Sequence, residues 1–168
     1  MNGSTVLVAG IGNVFLGDDG FGVEVIRRLD PARLPGGVVT MDYGIRGVHL
    51  AYDLLDGQYA TLIMVDALPT GEQPGTVSVL EVDDRTLAEQ PAPVNAHVMH
   101  PEAVLATLHA LGGRIDRVLI VGCEPLSVAP GMGLSAPVSA AVGAAADLLV
   151  DLAAKEAAAV RQPAETGG

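Results

Sequence analysis

The chain has 168 residues and a mass of 17.1 kDa, enough for one ordinary domain and too little for two independent cores. Nine basic against 20 acidic residues give a formal net charge of −11, and 49% of the residues are hydrophobic, which argues against wholesale disorder and against phosphate backbones or anionic lipid as partners. One cysteine excludes an internal disulfide, a zinc ribbon and a cysteine-ligated iron–sulfur cluster.

Taken in order, Val6–Ile11 reads as a compact buried strand ending among Gly10 and Gly12. No basic residue precedes this run and no small-residue cleavage site follows it, so it is not expected to be a signal peptide. Residues 19–30 read as a helix with Val23, Ile26 and Leu29 on one face, and 38–42 as a second short strand. A second helix over 47–55 is bounded by Asp56-Gly57. The run 61–65 shows no alternation, as expected of a central parallel strand buried on both faces. Residues 76–82 alternate and follow a Pro74-Gly75 turn, which predicts an antiparallel edge strand. The stretch 83–96 is polar and contains proline, so a loop is expected. Pro101 and Glu102 suit a helix start, and that helix should run to Leu111 and stop at Gly112-Gly113. Residues 117–121 read as a further buried strand. The last helix is expected from Ser135, as its N-cap, to about Val160, and its Asp147, Asp151, Lys155 and Glu156 speak against a membrane span. The pattern predicts one α/β domain over 1–160 with a mostly parallel sheet of about five strands, and a disordered tail over 161–168.

Several familiar chemistries are missing: there is no GxSxG, HExxH, CxxC or GxxxxGK[ST]. Gly10-Ile11-Gly12 hints at a dinucleotide fingerprint, but Phe15 stands where the third glycine belongs, and Asp18 and Asp19 would repel a pyrophosphate. In open α/β sheets ligands bind at the carboxyl ends of the strands. That rim gathers Asn13, Asp18 and Asp19, then Asp42, Asp66, the histidines His97 and His100, and finally Cys123 and Glu124. Carboxylates with an imidazole suit a divalent transition metal. Each residue also has a plain structural reading. Asp18 or Asp19 could cap the first helix, Asp66 could start the turn at 66–69, His97 could be a loop residue, and His100 the residue before Pro101. His49 and His109 read as structural or surface groups, Cys123 as core. Tyr43 and Arg46 sit in a Gly-flanked turn that could line a cleft or lie on the surface.

The stretch Gly10-Ile11-Gly12-Asn13-Val14-Phe15-Leu16-Gly17-Asp18-Asp19-Gly20-Phe21-Gly22 resembles the N-terminal signature of the nickel–iron hydrogenase maturation endopeptidases. The resemblance continues through Asp42-Tyr43-Gly44-Ile45-Arg46-Gly47, Leu62-Ile63-Met64-Val65-Asp66-Ala67, His97, Val121-Gly122-Cys123-Glu124-Pro125 and Gly133-Leu134-Ser135, covering roughly residues 5–155. It implies a three-layer α/β/α fold. It implies an endopeptidase that removes a C-terminal extension from the precursor of the hydrogenase large subunit after nickel insertion. Nickel would arrive with that substrate as a recognition handle, so the free protein need hold none. The family's metal-contacting positions fall on Asp19, Asp66 and His97, with Asp18 beside them. Asp18, Asp19 and Asp66 are the catalytic candidates, and either Asp18 or Asp66 could be the general base. Asn13, Asp42, Gly44, Arg46 and Gly47 are the substrate-binding candidates, the glycines because a backbone can approach them closely. Two positions depart from the family pattern: Asp19 stands where Glu is frequent, and Tyr43-Gly44-Ile45 replaces a Gly-Gly-Thr core. The alternative reading is a non-catalytic nickel-sensing or chaperone module for the same precursor; a small nucleotide- or flavin-binding domain is a third. A cytoplasmic monomer that binds neither nucleic acid nor membrane is expected.

Overall fold

The computed structural model describes residues 5–57, 59–82 and 101–161. Five strands form one sheet: β1 (Val6–Ile11), β2 (Val38–Gly44), β3 (Thr61–Ala67), β4 (Val77–Val82) and β5 (Arg117–Cys123). Their order is β2-β1-β3-β5-β4, with every pairing parallel except the antiparallel β4 at one edge. Four α-helices surround it: α1 (Phe21–Arg28), α2 (Gly47–Asp56), α3 (Pro101–Ala110) and α4 (Ala136–Arg161).

The period-2 alternation of the strands sends successive side chains into two separate cores. Val6, Val8, Ile63, Val65, Leu119 and Val121 pack against α1 and α4. Leu7, Ala9, Leu62, Met64, Val118 and Ile120 pack against α2 and α3. Both faces of β1 and β3 are therefore covered, which is why those strands read as unbroken apolar runs, and the architecture is the expected three-layer α/β/α. By length and composition alone, 136–160 could cross a membrane. Here its Val138, Val142, Ala145, Leu149, Ala153 and Ala157 recur at helical spacing and belong to the first core. Glu156, buried on the same helix, accepts a 2.8 Å hydrogen bond from Arg117 Nε, while Arg117 Nη1 donates to Glu81 at 2.8 Å.

One helix start, three strand ends and one strand register differ from the sequence reading in ways that matter for the site. The first helix begins at Phe21, because Gly17–Gly20 forms a tighter 3-10 turn that carries Asp18 and Asp19 outside it. Gly20 is its N-cap and no side chain caps it, so neither aspartate plays that part. Strands β2, β3 and β5 each run two residues beyond expectation, which places Asp66 within β3 and carries β2 past Asp42. Between Gly10 and Ile11 the β1–β2 register slips, leaving Tyr43 as an extra residue. The loop expected over 83–96, His97, His100 and the tail from 162 lie outside the described residues.

Candidate functional site

Three glycines let the first helix sit directly on the sheet. A Cβ at Gly22 would lie 2.0 Å from the Val65 carbonyl oxygen and 2.6 Å from that of Ile11; one at Gly10 would lie 2.6 Å from the Gly22 carbonyl oxygen. Gly12 has φ +134°, and a Cβ there would lie 2.0 Å from the Asp19 carbonyl oxygen and 3.3 Å from Asp66 Oδ1. Only residues without side chains allow this approach. It lays the Asp19 turn over the end of β3, where Asp66 stands.

The three aspartates then take different environments. Asp66 is 1% exposed, and its Oδ1 accepts one hydrogen bond, 2.8 Å from the Ala67 N–H. Burial pushes its carboxyl well above the usual carboxylate range, the nearby Asp19 charge adds to this, and the Ala67 N–H opposes it. Asp19 Oδ2 accepts from the Asn13 N–H at 2.8 Å. Asp18 is also 1% exposed but is fully engaged. Its Oδ2 accepts from Leu126 N, Ser127 N and Ser135 Oγ at 2.8, 3.1 and 2.8 Å, and its Oδ1 from Ser135 N at 2.7 Å. Burial raises the Asp18 pKa, but these bonds outweigh it and hold the carboxyl below its ordinary value. The Asp18 and Asp66 carboxyls are thus pushed in opposite directions.

Asp18 thus ties the 3-10 turn to the 126–135 segment. The same seam is closed by Gly17 N to Gly131 O and Gly131 N to Phe15 O, both 2.8 Å, and Asp18 N to Ser127 O, 3.0 Å. Ser135 does stand at the helix start, since its carbonyl accepts from Ser139 N at 2.8 Å, but its hydroxyl is donated to Asp18. Sequence reasoning missed this tie. The partners are 108 to 117 residues apart, and no spacing or periodicity signals such a pair.

A cleft of about 350 Å³ opens beside the carboxylates, lined by 12–15, Val23, Arg27 and 42–46. Of the substrate-binding candidates, Asn13, Asp42, Gly44 and Arg46 line it. The Asn13 side chain is occupied locally, its Oδ1 accepting from Phe15 N at 2.9 Å. Gly47 is instead buried at the start of α2, outside the cleft wall. Tyr43 is mostly core: it is 2% exposed and its hydroxyl donates to Asp53 Oδ2 at 2.6 Å, with burial and that carboxylate both pushing its pKa up. Cys123 is buried, and burial with the charges of Asp18 and Glu124 raises its pKa to about 11, so it stays a neutral core thiol. Among the described residues no cluster of three or more His, Cys, Asp or Glu could hold a metal. His97, the third expected ligand, lies outside them.

The sequence model for hydrogenase maturation proteases matches residues 23–152. The delta subunit of the coenzyme F420 hydrogenase of Methanothermobacter thermautotrophicus is 33% identical over 154 residues, covering 87% of this chain and 92% of that one. The hydrogenase 2 maturation protease of Escherichia coli is 30% identical over 139 residues, covering 82% and 83%. The crystal structure of a hydrogenase 2 maturation peptidase from a Thaumarchaeota archaeon superposes with a TM-score of 0.66 at 36% identity, covering 88% of this chain and 97% of the other. With its sheet order, its glycine-mediated helix seat and its aspartates at the strand ends, the chain belongs to the hydrogenase maturation protease family.

Proposed function

We propose that this protease removes the C-terminal extension of a nickel–iron hydrogenase large-subunit precursor once nickel has been inserted, and that the precursor's nickel is its recognition handle. The observation that carries the reading is the approach of Asp19 and Asp66 across Gly12 at the carboxyl ends of β1 and β3. The Asp19 charge adds to the cost of ionising Asp66, and a divalent cation between the two would relieve it. Among the described residues Asp66 accepts one hydrogen bond, at Oδ1, so its carboxylate has lone pairs to spare there. With His97 they form an oxygen–nitrogen donor set suited to nickel, and three protein ligands leave positions for the precursor's own groups. The metal is part of the substrate in this reading, and the enzyme holds none of its own.

Asp66 rather than Asp18 serves as general base. The Asp18 oxygens are spent on four hydrogen bonds, whereas Asp66 accepts one among the described residues. Water would attack the scissile carbonyl carbon while Asp66 takes its proton and then passes it to the departing amide nitrogen. Asp19 would position the metal, and the metal would fix the scissile bond and polarise its carbonyl. A cytoplasmic monomer belongs to the same reading.

Intact-mass analysis tests it. Purified protein is mixed with large-subunit precursor from the same cell, nickel-loaded or nickel-free. A discrete C-terminal mass loss in the loaded sample alone supports both the cut and its nickel dependence. Equal cleavage of both samples refutes the handle. No cleavage with a stable complex on a sizing column refutes catalysis and leaves a binding module.

A further inference from the structure

The cleft beside the carboxylate pair has an uneven charge. Phe15 and Ile45 stand at its mouth 63% and 61% exposed, an apolar lip on an otherwise acidic protein. Two cations reach it. Arg27 lies 3.4 Å from Glu24 and 3.8 Å from Asp42, so acids of its own chain answer its charge. Arg46 is placed differently. Its Nη2 donates to the Asp42 carbonyl at 3.1 Å and its Nε to the Tyr43 carbonyl at 3.3 Å. These bonds fix the guanidinium on the rim and use two of its five donors, with no carboxylate paired to it among the described residues. The bulge at Tyr43 and the φ of +55° at Gly44 lie in the turn that carries Arg46, and Arg46 is part of the cleft wall. A guanidinium already oriented loses little freedom when it binds, and its fork matches a carboxylate.

We infer that Arg46 determines specificity by reading an acidic side chain in the extension of the precursor; this rests on the function proposed above. The folded subunit lies on the nickel side of the cut, and the free tail is the part narrow enough to lie along the cleft. Asp66 is the next-to-last residue of β3 and Arg46 follows β2, with β1 between the two strands. Two strand spacings of about 4.8 Å make roughly 10 Å, which an extended chain covers in about three residues. The acid therefore falls about three residues after the scissile bond.

The test measures KM and kcat on nickel-loaded precursor from the same cell, native or with Asp and Glu at positions two to four after the cut changed to Asn and Gln. Arg46→Met should raise KM for native precursor about tenfold with kcat within about twofold, as the loss of one charge-assisted contact predicts. It should leave the amide precursor unaffected. Arg46→Lys should recover part of the loss, and Arg46→Glu should prefer a precursor carrying Lys there. A native extension with no acid at those positions overturns the inference. So does an Arg46→Met effect equal on both precursors, which is what a purely structural Arg46 would give. If wild type cuts neither precursor, the proposed function fails, and surface plasmon resonance with the same set of proteins and precursors decides the inference alone: charge-dependent binding upholds it, charge-independent binding or none overturns it.

Discussion

Replacing Asp18 with alanine removes the acceptor of three backbone N–H groups and one hydroxyl at a stroke. Hydrogen bonds to a charged group contribute about 1.5–3 kcal/mol each, and water can replace those of the exposed Leu126 and Ser127. The two half-buried bonds of Ser135 then set the loss at about 4 kcal/mol. In a domain of this size that corresponds to a Tm lower by roughly 8–16 °C. Calorimetry at pH 7 and at decreasing pH reads it. The Asp18 pKa is lower in the folded state, so its stabilisation is present above the unfolded carboxyl value and disappears as pH falls through the folded one. The gap between wild type and variant should therefore close below about pH 4. Asp18→Asn keeps one acceptor oxygen and should melt between the two, and at a temperature where it is folded it should retain cleavage within about tenfold of wild type, since the group acts by tying the turn. A melting temperature within about 2 °C of wild type together with abolished cleavage would refute the reasoning and return Asp18 to the chemistry.

Substitutions at Asp66, Arg117, Gly22 and Gly143 probe the rest of the frame. Asp66→Asn should abolish precursor cleavage yet raise Tm at pH 7, because a carboxyl whose folded pKa is raised favours the fold only below its unfolded pKa and loses that contribution as pH rises; a lower Tm at neutral pH contradicts this. Arg117→Met strands the buried Glu156 carboxylate and should cost about 2 kcal/mol after allowance for the half-exposed arginine, whereas Arg117→Met with Glu156→Leu should recover most of it; chemical denaturation reads both, and equal losses would show that the pair is not coupled. Gly22→Ala forces a Cβ against the Val65 carbonyl and should lower both stability, by about 1–3 kcal/mol, and kcat, because it lifts the Asp19 turn from Asp66. Gly143→Ala on α4 meets nothing within 4 Å and should raise stability by about 0.5–1 kcal/mol, so a matched pair of melts separates overpacking from helix propensity.

Much of this architecture was legible from local pattern. Unbroken apolar runs over β1 and β3 announce strands covered on both faces, and Pro74-Gly75 before an alternating run announces the antiparallel edge. These signals work because burial imposes the period of the element on its own residues. The aspartates 18, 19 and 66 could be listed as strand-end candidates for the same reason, and the glycines 10, 12 and 22 stood out as a motif. Their division of labour could not be read there. Asp18 and Asp19 are neighbours of one residue type in one turn, and one becomes a tie and the other a partner of Asp66 only because 126–135 folds back over the turn. The glycines are required because the Val65 and Asp19 carbonyls occupy the space a Cβ would take. Whether Tyr43 lines the cleft or fills the core is settled by a register slip against β1 and by an Asp53 hydroxyl acceptor on α2. Composition and periodicity describe how each segment is solvated. Which carboxylate keeps free lone pairs depends on backbone groups more than 100 residues away in sequence, and only the packed chain brings them together.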